Sequence, residues 1–282
     1  MDQTIKIITD GGCDLPKELT ESLDIAIVPL SIHFESESFT SHMDTAEYYT
    51  KMKSDKQLPK TSSPSPQDFL QYFHEAGEHR DILVVTLSSN LSSTYNHALM
   101  AKDMLIEEGY QGSIEIIDSK TASLGQGILA YQAAQLVQQG IPFTELVQIM
   151  QQSRDNVSTL FVLDTLENVI KGGRLDRVRG TVASVLNIKL LMRASTEGTV
   201  GVIEKVRGSQ PALKRLFEKV TEANPDYKQG IIAIGHGNCE VRARGFLESL
   251  LKKYPYRQVI FSNMGPVIGT YAGEGAVLVA FS

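Results

Sequence analysis

The feature that most constrains this chain is the alternation, over its first half, of short β-branched runs with stretches of helical periodicity. Strands are expected near Lys6 to Thr9, Ile25 to Ile32, Ile82 to Leu87 and Ser113 to Asp118. Helices are expected near Pro16 to Leu23, Thr45 to Ser54, Pro66 to Ala76, Ser92 to Glu108 and Ser123 to Gln139. Such a βαβ series predicts an α/β fold in which a mostly parallel sheet has helices on both faces. Ligands in that class bind at the carboxyl ends of the strands.

Beyond a further helix near Pro142 to Ser153 the texture changes. Strands are expected at Ser158 to Leu163, Ile188 to Met192, Val200 to Val206, Gly230 to Ile234, Gln258 to Ser262 and Ala276 to Phe281. Helices are expected near Thr165 to Lys171, Gln210 to Ala223 and Glu240 to Tyr254. The strands flanking TEGT read as a hairpin, with Gly198 in a polar tip. With 282 residues the chain is long enough for two medium domains. The division expected is an N-terminal α/β domain over 1–155 and a C-terminal α+β domain over 156–282.

Composition excludes several classes. The 27 basic and 33 acidic residues leave a net charge of −6, which argues against a nucleic-acid partner. An anionic ligand would then depend on local devices, such as helix N-termini and a few placed arginines. The longest apolar runs, VASVL and AVLVAF, are far short of a bilayer span, and MDQTIKIITDGG lacks the form of a secretory signal. Only Cys13 and Cys239 occur, which fits a reducing compartment and structural thiols. The protein is expected in the cytoplasm, with no stable membrane insertion.

One junction stands out. In the eight residues Thr86 to Ser93, five side chains carry a hydroxyl, where a strand ends and a helix begins. One hydroxyl suffices to cap the helix. The others could cradle a carboxylate or phosphate against the helix N-terminus. Lys60 to Phe69, KTSSPSPQDF, repeats the device, with two prolines to stiffen the loop. Two such clusters at matching strand-to-helix edges could converge.

Other motifs carry less chemistry. No G-x-S-x-G elbow is present, and Ser93 and His97, four apart on one helix face, form a pairing common by accident. HEAGEH spaces His74 and His79 five apart, unlike the four of H-E-x-x-H, and reads as a solvated helix end. Gly125-x-Gly127-x-x-Ala130 mimics a dinucleotide fingerprint but lies seven residues past its strand. Asp10 and Asp14 could bind a cation, although N-capping is the commoner role of such a pair. KGGR at Lys171 to Arg174 suits a phosphate approach and, equally, a helix C-cap with a basic last turn. A phosphotransferase or sugar-phosphate enzyme is therefore the alternative function. No metal site, catalytic residue or cofactor is expected.

The ordered set TDGGCDLP (Thr9 to Pro16), TSSPSP (Thr61 to Pro66), LSSNLSSTY (Leu87 to Tyr95), DSKTASLGQG (Asp118 to Gly127), KGGR, VLNIK (Val185 to Lys189), EKVR (Glu204 to Arg207) and GPVIGTYAGEGA (Gly265 to Ala276) spans nearly the whole chain. In that order it resembles the DegV family of bacterial fatty-acid-binding proteins. The resemblance implies a two-domain protein without catalysis of its own, holding a long-chain fatty acid at the domain interface. In members that serve the fatty-acid kinase, the carrier presents the carboxylate to that kinase, which makes an acyl phosphate for phospholipid synthesis. Carried over by motif, Thr61 and Ser92 bond the carboxylate, with Ser62, Ser93 and Tyr271 beside them. Arg174 and Arg207 match arginines near the head group or the kinase-docking surface. A tunnel lining would be drawn from Thr181 to Met192 and from Val267 and Ile268.

Departures from the family pattern are visible too. Gly11 and Gly12 replace hydroxyl-bearing residues, Ser63 replaces a glutamine, Ser93 a glycine, and Glu274 a proline. Tyr271 stands where the family has histidine, exchanging a group that can charge for one that is neutral near pH 7.

Overall fold

The computed structural model describes residues 5–55, 57–175, 187–223, 228 and 230–282. The tunnel-lining expectation over Thr181 to Met192 therefore lies in part, at 181–186, outside the described residues.

The first sheet holds β1 (Ile5–Asp10), β2 (Ile25–Val28), β6 (Asp81–Thr86) and β7 (Ile114–Asp118), all parallel, in the order β2-β1-β6-β7. Its central strands are apolar nearly throughout because both faces are covered. On one face lie α3 (Pro66–Ala76) and α4 (Thr94–Glu107), and on the other α5 (Leu124–Gln138) and α6 (Phe143–Asn156), while the short α1 (Lys17–Ser22) packs beside β2. The expected α/β architecture is present.

A second, mixed sheet follows the order β10-β9-β8-β13-β11-β12, from β8 (Ser158–Val162), β9 (Ile188–Ala194), β10 (Val200–Arg207), β11 (Ile231–His236), β12 (Gln258–Asn263) and β13 (Val277–Phe281). Helices α8 (Ser209–Ala223) and α9 (Glu240–Lys253) cover its outer face. β9 and β10 form the expected antiparallel hairpin, with Gly198 at φ +80° in the tip, a conformation glycine adopts without strain.

Helix α5 lies between the two sheets and touches strands of both. Its Leu124, Gly125, Gln126, Gly127, Ile128, Leu129 and Ala130 are all buried. A helix walled in on both sides is apolar nearly all round, and the buried Gln126 donates to Thr9 Oγ1 at 2.9 Å. Its small residues also permit close approach, with a Cβ at Gly127 falling 2.7 Å from the Cys13 carbonyl oxygen. The dinucleotide-like spacing is thus a packing device.

Two sequence expectations need correction, and one helix was not foreseen. Ile25 to Ile32 is not one strand: Pro29, which has no N–H for a ladder, separates β2 from β3 (Ser31–His33). β3 belongs to a third, antiparallel sheet, in the order β4-β3-β5, with β4 (Ser38–Thr40) and β5 (Lys60–Ser62). KTSSPSPQDF therefore starts in this small sheet and not at an edge of the parallel one. The glycine-rich segment near Val267 is a helix, α10 (Pro266–Ala272), with proline in its first turn. α10 packs on α2 (Thr45–Ser54), α7 (Glu167–Lys171), β3 and β5.

Candidate functional site

Segments at the carboxyl ends of β6 and β7, strands β8, β9, β10 and β13 of the second sheet, and α10 meet around a cavity of about 120 Å³. Its lining is mostly aliphatic, including Leu30, Leu87, Leu163, Val267, Ile268 and Leu278. Thr61, Ser92, Arg174 and Tyr271 also line it, and Arg174 is the only charged residue among the lining residues described.

Alternation along β5 sorts the first hydroxyl cluster. Thr61, paired with the buried Ile32, faces inward, and its Oγ1 lies 2.5 Å from the Tyr271 hydroxyl. Ser62 points the other way, with Oγ 2.9 Å from His33 Nε2 on the exposed side of the small sheet. Ser63 Oγ lies 2.7 Å from Ser93 Oγ. Ser65 does the capping: its Oγ accepts from the Asp68 N–H at 3.2 Å, while Asp68 accepts from the Ser65 N–H at 2.7 Å. Thr61 is thereby left for other work.

The five hydroxyls of Thr86 to Ser93 divide similarly. Thr86 leans on the Ile117 carbonyl at 3.5 Å. Ser88 donates to the Gly198 carbonyl at 2.7 Å, docking the β9–β10 hairpin tip, and Ser89 donates to Asp118 at 2.5 Å. Ser93, at the N-cap of α4, makes no capping bond with its side chain. Ser92 is the one that reaches the cavity, its Oγ held 2.8 Å from Thr94 Oγ1 and accepting from the Thr94 N–H at 3.3 Å.

KGGR proves to be a helix C-cap that delivers its arginine to the site. Gly173, at φ +73°, donates to the Ile170 carbonyl at 3.0 Å, and Arg174 N–H donates to Val169 at 3.2 Å, the paired bonds of a Schellman end. Arg174 then stacks on Tyr271, Cζ 4.7 Å from the ring centroid, and donates from Nη1 to the Gly172 carbonyl at 2.5 Å. Gly172 makes room for that ring, since a Cβ there would come within 2.4 Å of Tyr271. Arg207, at the end of β10, is exposed and lies outside the cavity lining.

A second polar cluster borders the same space. Asp14 accepts from the Ser123 hydroxyl at 2.7 Å and from the Gly265 N–H at 2.8 Å, tying the start of α5 to the start of α10. Asp10 accepts from the Gly12 and Leu87 N–H groups, each at 2.8 Å. Burial pushes both carboxyls up, Asp10 to about 6 and Asp14 to about 7, against the opposing pull of these hydrogen bonds. Neither aspartate caps a helix. No metal-ligating cluster occurs among the described residues, and none of their helices is long and apolar enough to cross a membrane.

The Gly11 departure has a steric reason as well. A Cβ at that position would lie 2.0 Å from Ser41 Oγ, which accepts from the Leu30 N–H at 3.2 Å. Ser41 fills that space.

No hydrogen bond joins Ser93 directly to His97 among the described residues; Ser63 Oγ lies 2.7 Å from Ser93 Oγ and 3.3 Å from His97 Nδ1. His97 Nδ1 lies 2.6 Å from the Pro64 carbonyl oxygen, which can only accept, so that nitrogen bears a proton and is no base for a serine. Sequence reasoning missed the Asp14–Ser123–Gly265 link and helix α10. Proline directly after Gly265 was the available signal for the helix.

Comparison with known proteins gives one family. The family model described as "Uncharacterised protein, DegV family" matches residues 4–282. A DegV domain-containing protein of Streptococcus gordonii is 32% identical, over 99% of each chain. A DegV family structure from Ruminococcus gnavus, refined with vaccenic acid, superposes with a TM-score of 0.92 at 29% identity, covering 99% of this chain and 100% of that one. The Streptococcus pneumoniae fatty acid kinase (Fak) B3 protein, loaded with linoleic acid, gives a TM-score of 0.87 at 28% identity over 99% of each chain.

Proposed function

The chain belongs to the DegV family, and from that premise we propose that it binds one long-chain fatty acid and presents the carboxylate to a separate fatty-acid kinase. The observation that carries this reading is an aliphatic cavity in which Arg174, the only charged residue among the described lining, stacks on a tyrosine hydrogen-bonded to Thr61. Thr61, Ser92 and Tyr271 donate to the carboxylate, and Arg174 balances its charge. The acyl chain lies against the leucines, valines and isoleucines between residues 1–155 and 156–282, taken as two domains.

Magnitudes assign the labour. Burying a methylene contributes about 0.8 kcal/mol, so roughly fifteen of them give about 12 kcal/mol gross before ordering costs. A hydrogen bond to a charged group adds only about 1.5 to 3 kcal/mol net. Affinity comes from the tail and orientation from the hydroxyls. A sugar phosphate would leave its ring hydroxyls without partners against this lining, which disfavours the phosphotransferase alternative.

The protein performs no chemistry on its ligand, works in the cytoplasm and needs no cofactor. Arg207, exposed on β10, suits the face that meets the kinase. Protein purified without added lipid should carry a stoichiometric acyl chain, seen by mass spectrometry after denaturation. Recovery of only water-soluble phosphates, or of nothing that exchanges with added fatty acid, would overturn the reading.

A further inference from the structure

The cavity has two further hydroxyls that do not bond to the Thr61 cluster. Thr121 Oγ1 and Thr159 Oγ1 lie 2.9 Å apart, and both residues are in the lining. They are 4% and 5% exposed, and both also line a second, more polar cavity of about 610 Å³ with Lys120, Arg154 and Arg193. Neither is bonded to Thr61, Ser92, Arg174 or Tyr271.

Counting protons exposes an imbalance. Each hydroxyl has one proton and two acceptor sites, so a pair joined by a single hydrogen bond has one proton left over. Among the described residues neither oxygen has a second partner. The fold makes room for the pair at Gly125, where a Cβ would approach Thr159 Oγ1 to 2.2 Å and Thr121 Oγ1 to 2.6 Å. Ser119 and Thr121 also fix one another, the Thr121 N–H donating to Ser119 Oγ at 3.2 Å and Ser119 Oγ donating to the Thr121 carbonyl at 3.1 Å. The hydroxyls are thus held in place within a mostly aliphatic wall.

A plain hydrocarbon chain against this wall would offer the spare O–H no acceptor on the ligand side. A buried polar group so stranded disfavours the complex, and sites built to bond a ligand oxygen discriminate against analogues that lack it. No cation bonds either hydroxyl among the described residues, which suits a neutral oxygen. The nearest lysine in sequence, Lys120, turns to Asp155 at 3.5 Å, and Arg174 belongs to the other cluster.

We propose that the paired Thr121 and Thr159 hydroxyls select an acyl chain bearing a neutral oxygen, a hydroxyl or keto group, part-way along its length. This rests on the fatty-acid reading above and narrows its ligand class. When an unsubstituted chain is bound, the spare proton has no acceptor on it.

The test is competitive loading. Lipid-stripped protein is offered equimolar stearate and a series of hydroxystearates substituted at successive carbons, and the bound ratio is read by mass spectrometry. At least one isomer should load over stearate by about fivefold or more, as a hydrogen bond gained and a stranded donor avoided predict. Thr121→Val with Thr159→Val, which preserves shape, should reverse that preference, because the chain hydroxyl is then the stranded group. No favoured isomer, or a preference that survives the double substitution, overturns the proposal. If the double variant does not fold, the wild-type protein loaded with a carbonyl-labelled ketostearate decides: its keto stretch should fall below the frequency found in hydrocarbon, and an unshifted band overturns the proposal. Failure of stearate and every substituted chain to load would instead refute the fatty-acid reading itself.

Discussion

Two polar clusters border one cavity, and they differ in a way that would orient an acidic ligand. Around Thr61, Ser92 and Tyr271 no carboxylate lines the cavity among the described residues, the side chains are half-buried, and an arginine lies over the tyrosine ring. Around Ser123 the polar partner is Asp14, a carboxyl whose two oxygens are already bonded within the protein. A fatty-acid carboxylate placed beside Asp14 would meet a second acid group with its acceptor sites taken. Placed beside Thr61 it would meet donors and a cation. The position of the protein's own carboxyls would thus direct a head group to the Thr61 cluster.

The sharpest test of that division is Thr61→Val combined with Ser92→Ala. Each loses a bond to a charged group worth about 1.5 to 3 kcal/mol, so acyl-chain release should quicken by at least about tenfold. Thermal stability should change little, since Thr61 and Ser92 are half-buried and the aliphatic lining is untouched. Unchanged exchange of labelled fatty acid would remove these two residues from the head-group cluster.

The Asp14 cluster should respond to pH in stability and not in ligand choice. Burial raises Asp14 to about 7 and Asp10 to about 6, from an ordinary carboxyl value of 3.8 in both cases. Between roughly pH 4 and 7 the folded state therefore holds protons that the unfolded chain has released, so this pair lowers stability as pH rises. Asp14→Asn keeps an acceptor for Gly265 and an amide for Ser123 but carries no charge. Its unfolding free energy should decline less than that of wild type between pH 5 and 8 in urea titrations. A parallel decline in both proteins would mean that Asp14 is an ordinary ionised acid, and the contrast between the clusters would fail.

Much of the fold was legible because its signals are local. The strand–helix alternation survives in the structure since strands such as β6, buried on both faces, must be written as apolar runs. The convergence of Thr61 and Ser92 on one cavity follows the family motifs. What escaped depends on distant or very short features. β3, β4 and β5 have three residues each, too few to show a period. α10 was hidden by Gly265, Gly269 and Gly273, which dilute helical propensity in a segment held by Tyr48, whose hydroxyl lies 2.7 Å from Thr270 Oγ1. The Asp14 link joins residues 109 and 251 positions away, a separation at which sequence spacing says nothing.

Capping separates the hydroxyls further. Ser65 closes a reciprocal box with Asp68, so Ser65→Ala should lower stability by about 1 kcal/mol in chemical denaturation while leaving ligand exchange unaltered. A change in exchange without one in stability would show that the capping and head-group roles had been divided wrongly.

The smallest effect should fall on Ser93. It occupies the N-cap of α4 yet spends its hydroxyl on Ser63, at an exposed position outside the cavity lining. Ser93→Ala removes one neutral bond in contact with water, which contributes a few tenths of a kcal/mol against about 1 kcal/mol for a true cap. Denaturation midpoints and fatty-acid exchange should both stay close to wild type. A loss as large as that of Ser65→Ala would mean that Ser93 caps α4 in solution. Faster acyl release would instead move Ser93 into the cluster that grips the carboxylate, and the head-group boundary would then have to include the Ser63–Ser93 pair.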